Sequence, residues 1–239
     1  MIIANFKSNV INFDKWVDDF ENSCSPVDFY VGIAPPSIYI TKYSSPRLAI
    51  GAQDVDHSSG SRTGAISIEM LDEVGVEFVI IGHSERREFF HEDNDLIRKK
   101  IQALDKSKIS TTILCIGETK EENKMGATKD VLKNQLSVID GFELGKNFTI
   151  AYEPVWAIGS GQTPEPKDIN EIHKYIKDVV QSVSENNHVP DVVYGGSVTD
   201  KNAESFFKEE FVDGALVGGA SLNGTTFANI VNIWRENII

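Results

Sequence analysis

Three side chains of this 239-residue sequence have the types and positions to supply a base, a hydrogen-bond donor to a substrate oxygen and a cation. Glu153 follows residues 148–152, a run rich in apolar and β-branched types that reads as a buried strand. Pro154 then stops the ladder, so the carboxylate stands at a strand end where it can face a cavity. The residues up to Thr163-Pro164 include Trp156, Gly159 and Gly161, the composition of an ordered loop with hinges, so 154–164 is expected to close as a lid. By itself the stretch also suits a glutamate capping a strand end beside a surface loop. His83 ends the apolar run 78–82 and precedes Ser84-Glu85-Arg86-Arg87, a helix start. The positive end of the helix dipole should lower its pKa and keep the imidazole neutral, able to donate a hydrogen bond to a substrate oxygen. The other reading is a satisfied rim histidine. Lys7 follows Ile2-Ile3-Ala4 and Asn5-Phe6, where an ammonium could hold an anionic oxygen or simply sit in an exposed loop.

Two glycine turns complete the set. Gly195-Gly196-Ser197 follows the run 191–194, and Gly218-Gly219-Ala220 follows 214–217. Such turns let backbone N–H groups converge on a small anion, with a helix expected to begin near Ser221-Leu222. Residues 219–225 have the glycine spacing of a P-loop but lack its lysine, which argues against a nucleoside triphosphate. No metal is expected, because no histidine beyond His91, beside Glu92, has ligand-like spacing.

The elements that must carry these groups recur along the whole chain. Strand-like runs fall at 2–6, 29–34, 48–52, 78–82, 111–116, 148–153, 191–195 and 214–218. They do not alternate with polar residues, as befits strands buried on both faces. Helical patterns intervene: 93–107, 167–184 with Pro166 near its start, 201–208 with Thr199 or Asp200 as N-cap, and 222–236. Repeated β-then-α units over residues 1–239 predict a single-domain α/β fold, a closed (β/α)8 TIM barrel. The structural rival is an open doubly wound sheet. Its first turn would carry glycines, which the turn at 5–9 does not. Read this way, Asn5, Lys7, Gln53, His83, Glu85, Glu118, Glu153, Ser197 and Gly218-Gly219 gather at the C-terminal ends of the strands. The Ser/Gly-rich stretch 57–64 is longer than a connection needs and could reach a second subunit.

The net charge of −13 argues against nucleic acid and anionic membranes as partners. A small anion is still allowed, because a local pocket of N–H groups and one lysine can outweigh the global sign. No apolar run reaches the roughly 18 residues of a membrane span. The first residues lack the features of a signal peptide, and the two cysteines, Cys24 and Cys115, are expected to be free thiols in a reducing cytoplasm.

With these residues placed, the sequence strongly resembles the triosephosphate isomerase family. The motifs are Asn-Phe-Lys at 5–7, Ala-Pro-Pro at 34–36, Gly-Ala-Gln-Asp at 51–54, Ile-Gly-His-Ser-Glu-Arg-Arg at 81–87, Cys-Ile-Gly-Glu at 115–118, Ala-Tyr-Glu-Pro-Val-Trp-Ala-Ile-Gly at 151–159, Tyr-Gly-Gly-Ser-Val at 194–198 and Val-Gly-Gly-Ala-Ser-Leu at 217–222. The resemblance implies interconversion of dihydroxyacetone phosphate and D-glyceraldehyde 3-phosphate through an enediolate, in glycolysis and gluconeogenesis, with no cofactor. It implies Glu153 as base, His83 as neutral electrophile, Lys7 with Asn5 as electrostatic stabilisers, and Glu85 behind Lys7. Gly159, Ser197, Gly218 and Gly219 would hold the phosphate. It also implies a homodimer in which the loop at about 54–65 enters the partner, with Thr63 near the partner's Asn5 and Glu85 region. Ala65 stands where the family usually has a glutamate that pairs with an arginine across the interface, and Ser160 and Gln162 replace the usual Thr and Lys near the lid tip. The chain is short for the family around 9–28 and 41–48, so trimmed outer helices are expected. A non-catalytic phosphosugar-binding barrel would be favoured if any of the three chemical residues were missing, and none is.

Overall fold

A computed structural model describes residues 1–145, 147–158 and 163–238. Eight parallel strands close into one barrel in sequence order. They are β1 (Ile2–Asn5), β2 (Val31–Ala34), β3 (Ala49–Ala52), β4 (Phe78–Ile81), β5 (Thr111–Ile116), β6 (Phe148–Tyr152), β7 (Asp191–Tyr194) and β8 (Ala215–Val217). β1 pairs with β8 at Ile2↔Ala215, which closes the ring. All eight expected runs are strands, each ending at or just inside the bounds read from the sequence.

The helices are α1 (Phe13–Ser23), α2 (Ile68–Glu73), α3 (Ser84–Phe89), α4 (Asn94–Leu104), α5 (Lys120–Lys124), α6 (Thr128–Leu136), α7 (Pro166–Val183), α8 (Ala203–Phe207) and α9 (Gly224–Asn237). Between β2 and β3 only a 3-10 turn, Ser37–Tyr39, is present, as the shortness of 41–48 suggested. Two expectations about helix starts fail. α8 begins at Ala203 with Asn202, not Thr199 or Asp200, in the cap position, because the Thr199 carbonyl accepts from Asn202 N and Ala203 N in a turn that precedes the helix; the Asn202 side chain caps no helical N–H, its Oδ1 accepting instead from Thr199 N (2.7 Å) and Thr199 Oγ1 (3.1 Å). Ser221-Leu222 lie in a 3-10 turn, Gly219–Leu222, and α9 starts only at Gly224, where Asn223 Oδ1 accepts from Thr226 N.

The core has two parts. Ile3, Phe78, Ile80, Ile113, Cys115, Val193 and Leu216 fill the inside of the barrel. The larger cluster, including Ile33, Val79, Leu114, Ile150 and Val217, packs between strands and helices. Burial on both faces explains why the strand sequences do not alternate. Cys24 and Cys115 are buried free thiols. No helix among the described residues is long and apolar enough to cross a membrane.

Candidate active site

The sequence-derived candidates meet at the C-terminal mouth of the barrel. One cleft of about 270 Å³ is lined by Asn5, Lys7, His83, Glu153, Ser197, Gly218 and Gly219, among others. Glu85 borders an adjoining cavity that also touches Asn5, Lys7 and His83. Gly159, Ser160 and Gln162 lie outside the described residues.

Glu153 directly follows β6 and is 2% exposed. Its Oε2 accepts from the backbone N–H of Ser84 (2.9 Å), and its Oε1 lies 2.9 Å from His83 Nε2. Burial pushes this carboxyl up, but the His83 ring, the Ser84 N–H and Lys7 outweigh it and hold the pKa below its usual value. A depressed pKa keeps this carboxylate ionised at neutral pH. The side chain fits because residue 195 is glycine: a Cβ there would stand 2.9 Å from Glu153 Cγ.

His83 is the N-cap of α3, and its Nδ1 accepts from Glu85 N (3.2 Å). An Nδ1 that accepts an N–H carries no proton, so the neutral ring has its proton on Nε2, facing Glu153. The net direction of its pKa corrects the sequence expectation. Burial lowers it and Lys7 lowers it further, but the Glu153 carboxylate at 2.9 Å outweighs both and raises it above the ordinary value in this arrangement. The upward push belongs to the resting contact with Glu153.

Lys7 has φ +49°, a region few non-glycine residues adopt. Three contacts hold it there. Its N–H donates to Asn5 Oδ1 (3.0 Å), its carbonyl accepts from Gln53 Nε2 (2.8 Å), and its Nζ meets Glu85 Oε1 at 2.7 Å. The Gly218 turn is tied by Ser221, whose N–H and hydroxyl both donate to Gly218 O (2.9 and 2.7 Å), and by Trp16 Nε1 donating to Ser221 O (2.8 Å). Ser197 Oγ donates to Ala157 O (2.9 Å) in the 3-10 turn Val155–Ala157 at the start of the expected lid.

Several contributors escaped the reading of the sequence: Gln53 as a brace for Lys7, Trp16 and Ser221 behind the glycine turn, the Ser84 N–H on Glu153, and Glu118 as an anchor. Glu118, 0% exposed, accepts from Trp156 Nε1 (2.8 Å), Tyr152 OH (3.1 Å) and Asn123 Nδ2 (3.1 Å). Only the Trp and Tyr near a strand-end carboxylate hinted at this. Arg86 pairs within the chain with Asp54 (2.8 Å) and Glu92 (2.7 Å). Lys100 bridges the same two carboxylates at 2.6 Å each.

A buried ionised carboxylate, an imidazole that can present a proton, an ammonium and two glycine turns at one barrel mouth define the class: a (β/α)8-barrel enzyme suited to proton transfer on a small anionic substrate. Comparison with known proteins gives the particular family. The family profile described as "Triosephosphate isomerase" matches residues 1–234. The chain is 40% identical, over 97% of its length and 95% of the relative's, to the triosephosphate isomerase of Baumannia cicadellinicola subsp. Homalodisca coagulata. It is 42% identical to that of Erwinia tasmaniensis over 84% of this chain and 82% of the relative. Against that of Alkaliphilus metalliredigens the identity is 36%, covering 97% and 98%. The chain belongs to the triosephosphate isomerase family.

Proposed function

We propose that the chain interconverts dihydroxyacetone phosphate and D-glyceraldehyde 3-phosphate, and that Glu153, His83 and Lys7 perform the chemistry. Family membership supports the reaction. The observation that carries the residue roles is the convergence of all three, with the two glycine turns, on one cleft. Glu153 takes a proton from the carbon next to the substrate carbonyl, and the electron pair of that C–H bond moves to make an enediolate. His83 Nε2–H donates to the carbonyl oxygen and passes protons between the two oxygens. Lys7, held by Glu85 and supported by Asn5, offsets the negative charge. Glu153 then returns its proton to the neighbouring carbon, so the reaction balances without a cofactor. Ser197, Gly218, Gly219 and Gly159 hold the phosphate, and the loop 154–164 closes over the cleft and excludes water.

The same proposal covers the assembly and its place in the cell. Val10, Ile38, Phe89 and Phe90 are largely exposed. Phe89 and Phe90 line a cavity of about 440 Å³ that reaches Asn5, Lys7 and Glu85. The loop at 54–65 is braced on itself by Asp56 N donating to Ile66 O (2.8 Å) and by Arg62–Asp56 (2.7 Å), with Thr63 exposed. A homodimer in which this loop enters the partner's cavity would cover both features, and specific activity that falls on extreme dilution would support it. The buried thiols suit a cytoplasmic enzyme.

The test of function is a coupled assay of glyceraldehyde 3-phosphate isomerisation by the purified protein and its Glu153→Gln variant. Fast turnover by wild type and a loss of about 10³-fold or more in the variant support the roles. An inactive wild type that still binds phosphate-bearing ligands would make this a binding barrel instead.

A further inference from the structure

Arg87 touches none of the groups assigned to chemistry, yet its guanidinium ties together the ends of three elements around them. Its Nε donates to Gly82 O (2.8 Å) at the end of β4, Nη2 to Cys115 O (3.3 Å) in β5, and Nη1 to Asn94 Oδ1 (3.0 Å) at the start of α4. The corner it holds is Gly82-His83-Ser84, which supplies both contacts on Glu153: the imidazole and the Ser84 N–H. Residue 82 must be glycine for this. Its φ is +66°, and a Cβ there would lie 3.2 Å from Arg87 Nη2 and 3.3 Å from Cys115 O. Arg87 and Glu153 also border one cleft of about 380 Å³ on the side of the base away from the glycine turns.

We infer that Arg87 is a positioning residue for the base: its fork sets the Gly82–Ser84 corner against β5 and so fixes where His83 and the Ser84 N–H hold Glu153. A planar group with five donors can join three oxygens on three elements in one geometry, and a lysine ammonium cannot reproduce that fork. A displacement of order 1 Å in such a corner is enough to cost about 10²-fold in rate.

The inference rests on the proposed isomerase reading, so wild-type turnover in the coupled assay is the reference, and its absence would defeat that reading first. With wild type active, Arg87→Met is expected to lower kcat by roughly 10- to 100-fold with KM within about threefold. Arg98→Met is the control. Arg98 likewise joins backbone carbonyls, donating to Val138 O and Asp140 O (3.0 Å each), but away from the site. It should lose comparable thermal stability and keep its kcat. Arg87→Lys should recover only a small part of the loss. If Arg87→Met does not fold, Asn94→Ala removes one anchor of the fork and should lower kcat several-fold at near wild-type Tm. Wild-type kcat in Arg87→Met, or in Asn94→Ala where that variant carries the test, would make Arg87 a purely structural residue. Full recovery by Arg87→Lys would show that charge rather than the fork matters. Either result overturns the inference.

Discussion

Glu118 offers the sharpest prediction about how the barrel mouth is held. It lies two residues beyond β5, is fully buried, and accepts three hydrogen bonds, two of them from Trp156 and Tyr152. Trp156 sits in the 3-10 turn that leads from Glu153 into the loop, and Val155 N also donates to the Glu118 carbonyl (3.1 Å). Burial and the neighbouring Glu118 push the Tyr152 phenol far above its ordinary pKa, so it stays a donor. In Glu118→Leu the Tyr152 hydroxyl and the half-buried Trp156 N–H lose their acceptor, and Asn123 can turn toward water. Each stranded donor costs about 1–3 kcal/mol, so a loss of about 2–4 kcal/mol is expected. For a domain of this size that is a fall in Tm of about 5–15 °C. Glu118→Gln keeps one acceptor oxygen and should cost about 1 kcal/mol. Because the turn joins base to loop, kcat/KM in the Leu variant should also drop about tenfold or more. Denaturant unfolding of both variants beside steady-state kinetics is the assay. If Leu and Gln were equally stable within about 0.5 kcal/mol, the reasoning from stranded donors would be refuted.

Three other perturbations follow from named contacts. Lys100→Met removes one of the two cations between Glu92 and Asp54, whose pKa burial already raises, and with Arg86 still paired to both should destabilise by about 1–3 kcal/mol in urea unfolding; no measurable change would contradict it. His173 in α7 is fully buried, which pushes its pKa down to about 3. Its folded pKa lies below the unfolded one, so its contribution is present above about pH 6.5 and drains away as pH falls toward 3, about 2 kcal/mol by pH 5. His173→Gln should flatten that loss between pH 7 and 5, and an unchanged slope would assign acid sensitivity elsewhere. Gly195→Ala places a Cβ against Glu153 and should lower kcat with little change in KM, and an unchanged kcat would contradict the close fit of the carboxylate against that turn.

The barrel was legible because its strands are buried on both faces, and that burial writes itself as unbroken Ile, Val and Ala runs such as 78–81. The candidate site was legible because Glu153, His83 and Lys7 each follow such a run. What stayed hidden depends on partners distant in sequence. The pKa of His83 was read from its helix alone, and Glu153 reverses it. Arg87 and Trp16 look like ordinary helix residues, and Glu118 like one more strand-end carboxylate without a partner, until the segments they touch are brought together. The start of α8 lies later than the Thr199-Asp200 pair suggests because the Thr199 carbonyl first closes a turn, accepting from Asn202 N and Ala203 N, which side-chain cap preferences do not reveal.

The most direct measurement is deuterium uptake when the protein isomerises dihydroxyacetone phosphate in heavy water. A carboxylate that removes and returns the proton through an enediolate should place solvent deuterium on the reacting carbon in those turnovers where its proton exchanges before return, the substrate's own hydrogen in the others, and Glu153→Gln should slow both at least about 10³-fold. Turnover and deuterium uptake unchanged in Glu153→Gln would contradict the assignment of Glu153 as the base.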